Sequence, residues 1–158
     1  MVVILHNVRS TYNVGSIFRT ADAAGCEKIY LCGITPAPRD RFGRVNEKIS
    51  KVALGAENFI PWEKIGETAR LIKKLKKDGY KILAVEQSSR SVPYQKIKLS
   101  KKDLAKTALV VGNEIKGLPS TVLRRADKIL EIPMRGKKES LNVAVAFGIV
   151  IFNLINNL

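Results

Sequence analysis

The sequence predicts an α/β fold with a mostly parallel sheet and helices on both faces of that sheet. Short β-branched runs alternate with longer stretches of helical spacing along the whole chain, and strands separated by helices cross over in parallel. The first such run, residues 2–5, is apolar without interruption, as a buried strand is. No internal repeat, low-complexity tract or composition shift divides the chain, and 158 residues suit a single domain, here taken as 1–158.

The elements follow in order. After the strand at 2–5, Asn13 can cap a helix whose Ile17, Phe18, Ala21 and Ala24 form one apolar stripe and which stops at Gly25. Residues 29–32 form a second strand. A loop containing Pro, Arg and Gly spans 35–46 and leads into a helix ending at Leu54. Residues 63–77 read as an amphipathic helix, with Ile65, Ala69, Ile72 and Leu75 inward and Gly79 as its stop. Its outer face carries Lys73, Lys74, Lys76 and Lys77, a pattern that a merely solvated face also has. Further strands lie at 81–85, 109–111 and 128–132. The last helix starts near Asn142 and has no polar face from Val143 to Phe152. A helix apolar all round must be covered all round. A terminal helix on a sheet has one side free, so a second copy of the chain is the expected cover, which predicts a homodimer through this helix.

Twenty-eight Lys and Arg against fourteen Asp and Glu give a net charge of +14, which favours a polyanionic partner and nucleic acid above all. With 46% hydrophobic and 27% charged residues, disorder is not expected. The spacing of Cys26 and Cys32 matches neither a CxxC redox pair nor a zinc motif, and with His6 as the one histidine no metal site is expected. The start, MVVILHN, lacks the basic segment of a signal peptide. The apolar stretch 143–155 is too short for a membrane span and is broken by Asn153. A cytoplasmic protein with no membrane association follows.

Three segments combine polar residues with strand ends or helix starts. In LVVGNEIKGLP, a strand runs into a loop where Gly112 and Gly117 flank Glu114. Ligands of open α/β sheets sit beyond the carboxyl ends of strands, where glycine lets the backbone come close. The loop is neither GxGxxG nor a P-loop, so neither a dinucleotide nor a nucleoside triphosphate is favoured. In IPMRGKKESLN, a strand end passes into a helix start, and Ser140 or Asn142 could simply cap that helix. In NVGSIFRT, Arg19 lies off the apolar stripe and is free to face a groove or solvent.

Taken together, NVGSIFRTADAAG, LVVGNEIKGLP and IPMRGKKESLNVAVAFGI resemble, in that order, the first, second and third motifs of the SPOUT class of RNA methyltransferases, and of its SpoU-type branch, which methylates ribose 2′-hydroxyls of tRNA or rRNA. The resemblance runs from Asn7 to about Phe152. It implies a C-terminal deep trefoil knot, S-adenosylmethionine as cofactor and a homodimer. On the same resemblance Gly112, Ile132 and Leu141 surround the cofactor with their backbone, joined by Gly117 and Met134, with Val85 and Glu86 lining the site from an earlier strand end. Asn13, Arg19, Glu114, Ser140 and Asn142 match the functional polar positions. Arg19 is assigned the base, the stabiliser of the developing alkoxide or the grip on the adjacent phosphate, and Glu114 either orients or pairs with Arg19. Arg39, Arg41 and Arg44 in the loop after the second strand, and Arg135, Lys137 and Lys138 beside the third motif, are the expected RNA phosphate contacts. No appended RNA-binding domain is expected, and tRNA is favoured over rRNA. The rival expectations are a non-catalytic RNA-binding or ribosome-assembly protein and an enzyme methylating a base nitrogen.

Overall fold

The structure, a computed structural model, describes residues 1–157. Its strands are β1 (Val2–His6), β2 (Lys28–Cys32), β3 (Trp62–Ile65), β4 (Lys81–Val85), β5 (Val92–Pro93), β6 (Thr107–Val111) and β7 (Lys128–Glu131). They form one sheet in the order β3-β2-β1-β6-β4-β7-β5, and each neighbouring pair runs parallel. The helices are α1 (Thr11–Ala23), α2 (Glu47–Ala53), α3 (Ala56–Phe59), α4 (Thr68–Lys77), α5 (Lys101–Ala105), α6 (Ser120–Leu123) and α7 (Val143–Asn156).

The period of two along a strand divides the core into two layers. Val3 and Leu5 of β1, Ile29 and Leu31 of β2, and Leu109 and Val111 of β6 point to one face, where Ile17 and Phe18 of α1, Ile49 of α2, and Phe147 and Val150 of α7 cover them. Val2, Ile4, Ala108 and Val110 point the other way and meet Leu71, Ile72 and Leu75 of α4 and Val122 of α6. All five residues of the central strand β6 are buried, as a strand covered on both faces requires.

Three local expectations are corrected. Asn13 does not cap α1. Ser10 does, its side chain accepting from the Asn13 backbone N–H at 3.2 Å, which puts Asn13 inside the first turn. Residues 63–77 are not one helix. Residues Trp62–Ile65 pair with β2 in the register Ile29↔Trp62 to Cys32↔Ile65, and α4 starts only at Thr68 after Gly66. The helical spacing of Ile65 with Ala69 and Ile72 is outweighed by the open ladder edge of β2, which four residues of extended chain satisfy. Strand β7 ends at Glu131, so Ile132 stands just beyond the sheet. Helix α7 begins where expected: Asn142 caps it, accepting from the backbone N–H groups of Ala144 and Val145. Among the described residues no helix is long and apolar enough to cross a membrane.

Candidate active site

A cavity of about 300 Å³ opens at the carboxyl ends of β4, β6 and β7. This lies within the range of roughly 300–1,000 Å³ usual for small-molecule sites. Val85 and Glu86 line it from the end of β4, and Gly112, Glu114 and Gly117 from the loop after β6. Ile132, Met134, Ser140 and Leu141 line it from the segment after β7, while Val143 and Ala146 of α7 close one side. All seven residues assigned to the cofactor from sequence therefore border one cavity.

Close backbone packing builds the wall. A Cβ on Gly112 would stand 2.7 Å from the Gly117 carbonyl carbon and 2.9 Å from Leu118 Cγ, so residue 112 has no room for a side chain. Gly117 adopts φ 61°, and a Cβ there would overlap the Glu86 carboxylate. Glu86 Oε2 accepts from the Leu118 N–H at 2.8 Å, fixing the loop to the end of β4. Asn113 donates through Nδ2 to the Asn7 carbonyl at 2.8 Å and accepts from the Ile115 and Lys116 N–H groups at 3.0 and 2.9 Å.

One hydrogen-bond chain joins the three motifs. Glu114 Oε2 accepts from the Arg9 N–H at 3.0 Å, and Oε1 accepts from the Ser10 N–H and from Asn13 Nδ2, both at 3.0 Å. Asn142 Nδ2 donates to Asn13 Oδ1 at 3.0 Å, while Asn142 Oδ1 caps α7. Asn142 thus caps α7 with its oxygen and bonds Asn13 through its nitrogen. Partial burial pushes the Glu114 carboxyl up, but the donors from Arg9, Ser10 and Asn13 outweigh it and hold the group below the ordinary glutamate range. Neither expected relation of Glu114 to Arg19 is formed, because the carboxylate is taken up by the start of α1.

Arg19 is exposed on α1 and is not among the residues lining the cavity. It stands six residues beyond Asn13, about 9 Å further along the helix axis. Arg135, Lys137 and Lys138 are exposed on the segment after β7. In the loop after β2, Arg44 pairs with Asp40 at 2.7 Å and Arg39 donates to the Gly43 carbonyl at 3.3 Å, while Arg41 stacks on Phe42. Sequence reasoning missed Gln87, Glu131 and Glu139, which also line the cavity. Gln87 and Glu131 stand at strand ends, the position that had already singled out Val85 and Ile132.

Charge separates the cavity from its surroundings. Four carboxylates, Glu86, Glu114, Glu131 and Glu139, line it in a chain of net charge +14 that has only 14 acids in all. Such a cavity favours a small cation, whereas the outer surface favours a polyanion. S-adenosylmethionine, a sulfonium with an adenine ring, fits this donor set: carboxylates for its positive charges, and apolar walls with close backbone for its base.

Fold and site define a parallel α/β protein with an acidic cavity at the carboxyl ends of its strands. The chain belongs to the SpoU rRNA Methylase family, whose model matches residues 1–152. It is similar to the tRNA (guanosine(18)-2′-O)-methyltransferase of Aquifex aeolicus, 32% identical over 152 residues that cover 96% of this chain and 67% of that one. It is also similar to the 23S rRNA (guanosine-2′-O-)-methyltransferase RlmB of Neisseria meningitidis, 33% identical over 151 residues, 96% of this chain and 56% of that one. The chain thus spans about two thirds of the first of these relatives and little more than half of the second. Among solved structures, the TrmH/SpoU tRNA modifying enzyme of A. aeolicus superposes with a TM-score of 0.83 at 29% identity, over 99% of this chain and 74% of that one. The AdoMet-bound rRNA methyltransferase of Sinorhizobium meliloti gives 0.84 at 34% identity, over 96% of this chain and 54% of that one.

Proposed function

We propose that this chain is an S-adenosylmethionine-dependent RNA methyltransferase that modifies a ribose 2′-hydroxyl, with tRNA as the preferred substrate and rRNA as the alternative, acting in the cytoplasm. The acidic cavity walled by the second and third motifs, with the first tied to both through Asn13, within a basic surface carries this reading. Family membership and relatives named as 2′-O-methyltransferases support it. We assign the segment from Ile132 to Leu141 to the trefoil knot. The bond from Gln87 Nε2 to the Glu139 carbonyl at 2.6 Å, which ties that segment to the end of β4, supports the assignment.

S-adenosylmethionine, when bound, supplies an electrophilic methyl group on a sulfonium. That methyl would pass to the ribose 2′-oxygen, with S-adenosylhomocysteine as the leaving group and the hydroxyl proton released to water. The backbone at Gly112, Ile132 and Leu141, with the walls of Val85, Gly117 and Met134, holds the adenosyl group, and Glu86 keeps the wall in place. Glu114, Asn13 and Asn142 are positioning residues that keep the three motif segments in register. Ser140, exposed at the cavity mouth, hydrogen-bonds the ribose. The Arg19 guanidinium stabilises the oxygen as its proton leaves.

The active form is a homodimer through α7. That helix carries no charged residue, and its Val145 and Phe152 are 50% and 38% exposed. An apolar face of this kind calls for a partner surface. The same dimer covers the exposed side of α1 next to α7, bringing Arg19 into the assembled site. Arg39, Arg41, Arg44, Arg135, Lys137 and Lys138 contact phosphates. The test is transfer of labelled methyl from S-adenosylmethionine to RNA by the purified chain, with sedimentation to give its oligomeric state. Label in RNA from a dimer supports the reading, and no transfer to either tRNA or rRNA overturns it.

A further inference from the structure

We propose that the loop joining β2 to α2 carries a nucleobase-stacking site built on Phe42, which takes an unpaired base of the RNA between the flanking arginines. The proposal rests on the RNA reading above and adds to it a contact that phosphate-binding arginines do not make.

Phe42 is 68% exposed and belongs to neither layer of the core, its ring meeting the flanking arginines. The loop nevertheless has a defined shape. Asp40 Oδ1 accepts from the backbone N–H groups of Phe42 and Arg44 at 2.8 and 3.0 Å, and its Oδ2 accepts from Arg44 Nε at 2.7 Å. The Asp40 N–H donates to the Arg44 carbonyl at 3.0 Å, the Gly43 N–H donates to the Asp40 carbonyl at 3.0 Å, and Arg39 pairs with Val45 across the turn. Gly43 takes φ 78°, which the tight turn requires. The base of the loop is anchored as Arg39 donates to Asn58 Oδ1 of α3 at 3.4 Å. Phe42 is thus held outward at the tip of an ordered turn.

Cations frame the ring. The guanidinium carbon of Arg41 lies 4.7 Å from its centroid and that of Arg44 lies 5.2 Å away. Arg44 is fixed by Asp40, whereas Arg41 has no ion-pair partner among the described residues. Nucleobases stack on aromatic rings and on guanidinium planes alike, and the phosphates beside them pair with arginine. An apolar protein partner on the same tip would have to bury two guanidiniums, at a steep desolvation cost. The charge around the ring therefore selects RNA. An arginine–phenylalanine–arginine tip reads an unstacked base by its face, so the site favours loops and single strands over duplex.

The test uses a short single-stranded RNA and a ribose-phosphate strand of the same length lacking bases, with affinity measured over a range of salt. F42A should bind the base-bearing strand about 5- to 150-fold more weakly, the factor that about 1–3 kcal/mol of base stacking gives at about 1.4 kcal/mol per tenfold. Its salt slope should match the wild type, because no phosphate contact is lost. The abasic strand should bind both proteins equally. F42W should restore affinity, its indole emission being quenched on binding relative to the background from Trp62, the one native tryptophan. Equal binding of the base-bearing strand by F42A and wild type, an equal loss for the abasic strand, or a changed oligomeric state in place of weaker RNA binding would overturn the proposal. A wild-type protein that binds no RNA would remove the RNA reading itself, a failure distinct from that of the Phe42 site.

Discussion

Replacing Glu114 by Gln probes the bond chain that joins the motifs while leaving the side chain's shape almost unchanged. In the native protein one carboxylate receives donors from Arg9, Ser10 and Asn13. Gln keeps one oxygen for Ser10 and Asn13 as an uncharged acceptor, but turns an NH₂ group toward the Arg9 N–H, donor against donor. A hydrogen bond to a charged group contributes about 1.5–3 kcal/mol and a neutral one about 0.5–1.5 kcal/mol. Glu114 is exposed, so solvent screening places the net loss at about 1–2 kcal/mol. At about 2–4 °C per kcal/mol for a domain of this size, Tm at pH 7 should fall by about 2–8 °C. The pH dependence follows from the sign of the shift. The folded carboxyl lies below the ordinary value of about 4.3, so its contribution is complete above that value and is lost as the pH falls through the lower, folded one. Thermal melts by circular dichroism from about pH 7 to about pH 3 should show the two proteins separated at neutral pH and converging in acid. Equal melting at pH 7, or a gap that persists unchanged in acid, would refute this role for Glu114.

Other substitutions separate the parts of the site. G112A puts a Cβ 2.7–2.9 Å from the Gly117 backbone and Leu118, so the wall must open, and calorimetry should find S-adenosylmethionine bound at least about tenfold more weakly. N142A removes the cap of α7 and the bond to Asn13 together, and denaturant unfolding should show a loss of about 1–2 kcal/mol. R19A should melt within about 1 °C of the wild type, since the side chain is exposed and makes no hydrogen bond or ion pair among the described residues, yet initial rates of methyl transfer should fall by about 100-fold or more.

The sheet was readable from its strands because β1, β2, β4, β6 and β7 are apolar runs set between helices. Strand β3 was not. Its WEKI sequence lies on the sheet edge with both Glu63 and Lys64 exposed, and Ile65 happens to fall in helical phase with Ala69 and Ile72. Only the pairing with β2, more than thirty residues away in the chain, makes it a strand. Two-residue β5 and the single turns α3 and α6 are too short for any period to show. In the site, the lining residues were legible through the motif resemblance, and the parallel sheet brings Val85, Gly112 and Ile132 to one cavity because each stands at or just beyond a strand's carboxyl end. The bonds from Glu114 to Asn13 and from Asn13 to Asn142 span more than a hundred residues each, and no local spacing encodes them. Ser10 was passed over as a cap because Asn13, also a good capping residue, follows three positions later. Arg19 was correctly read as lying off the apolar stripe, but the sequence gives no sign that it stands outside the cavity of its own chain.

The most direct measurement is the identity of the product nucleoside. RNA lacking the modification is incubated with the protein and S-adenosylmethionine, digested to nucleosides, and analysed by mass spectrometry. The fragmentation should place the added methyl group on the ribose, as a 2′-O-methylnucleoside. A methyl group on the base, or no methylated nucleoside after incubation with both tRNA and rRNA, would contradict a ribose 2′-O-methyltransferase.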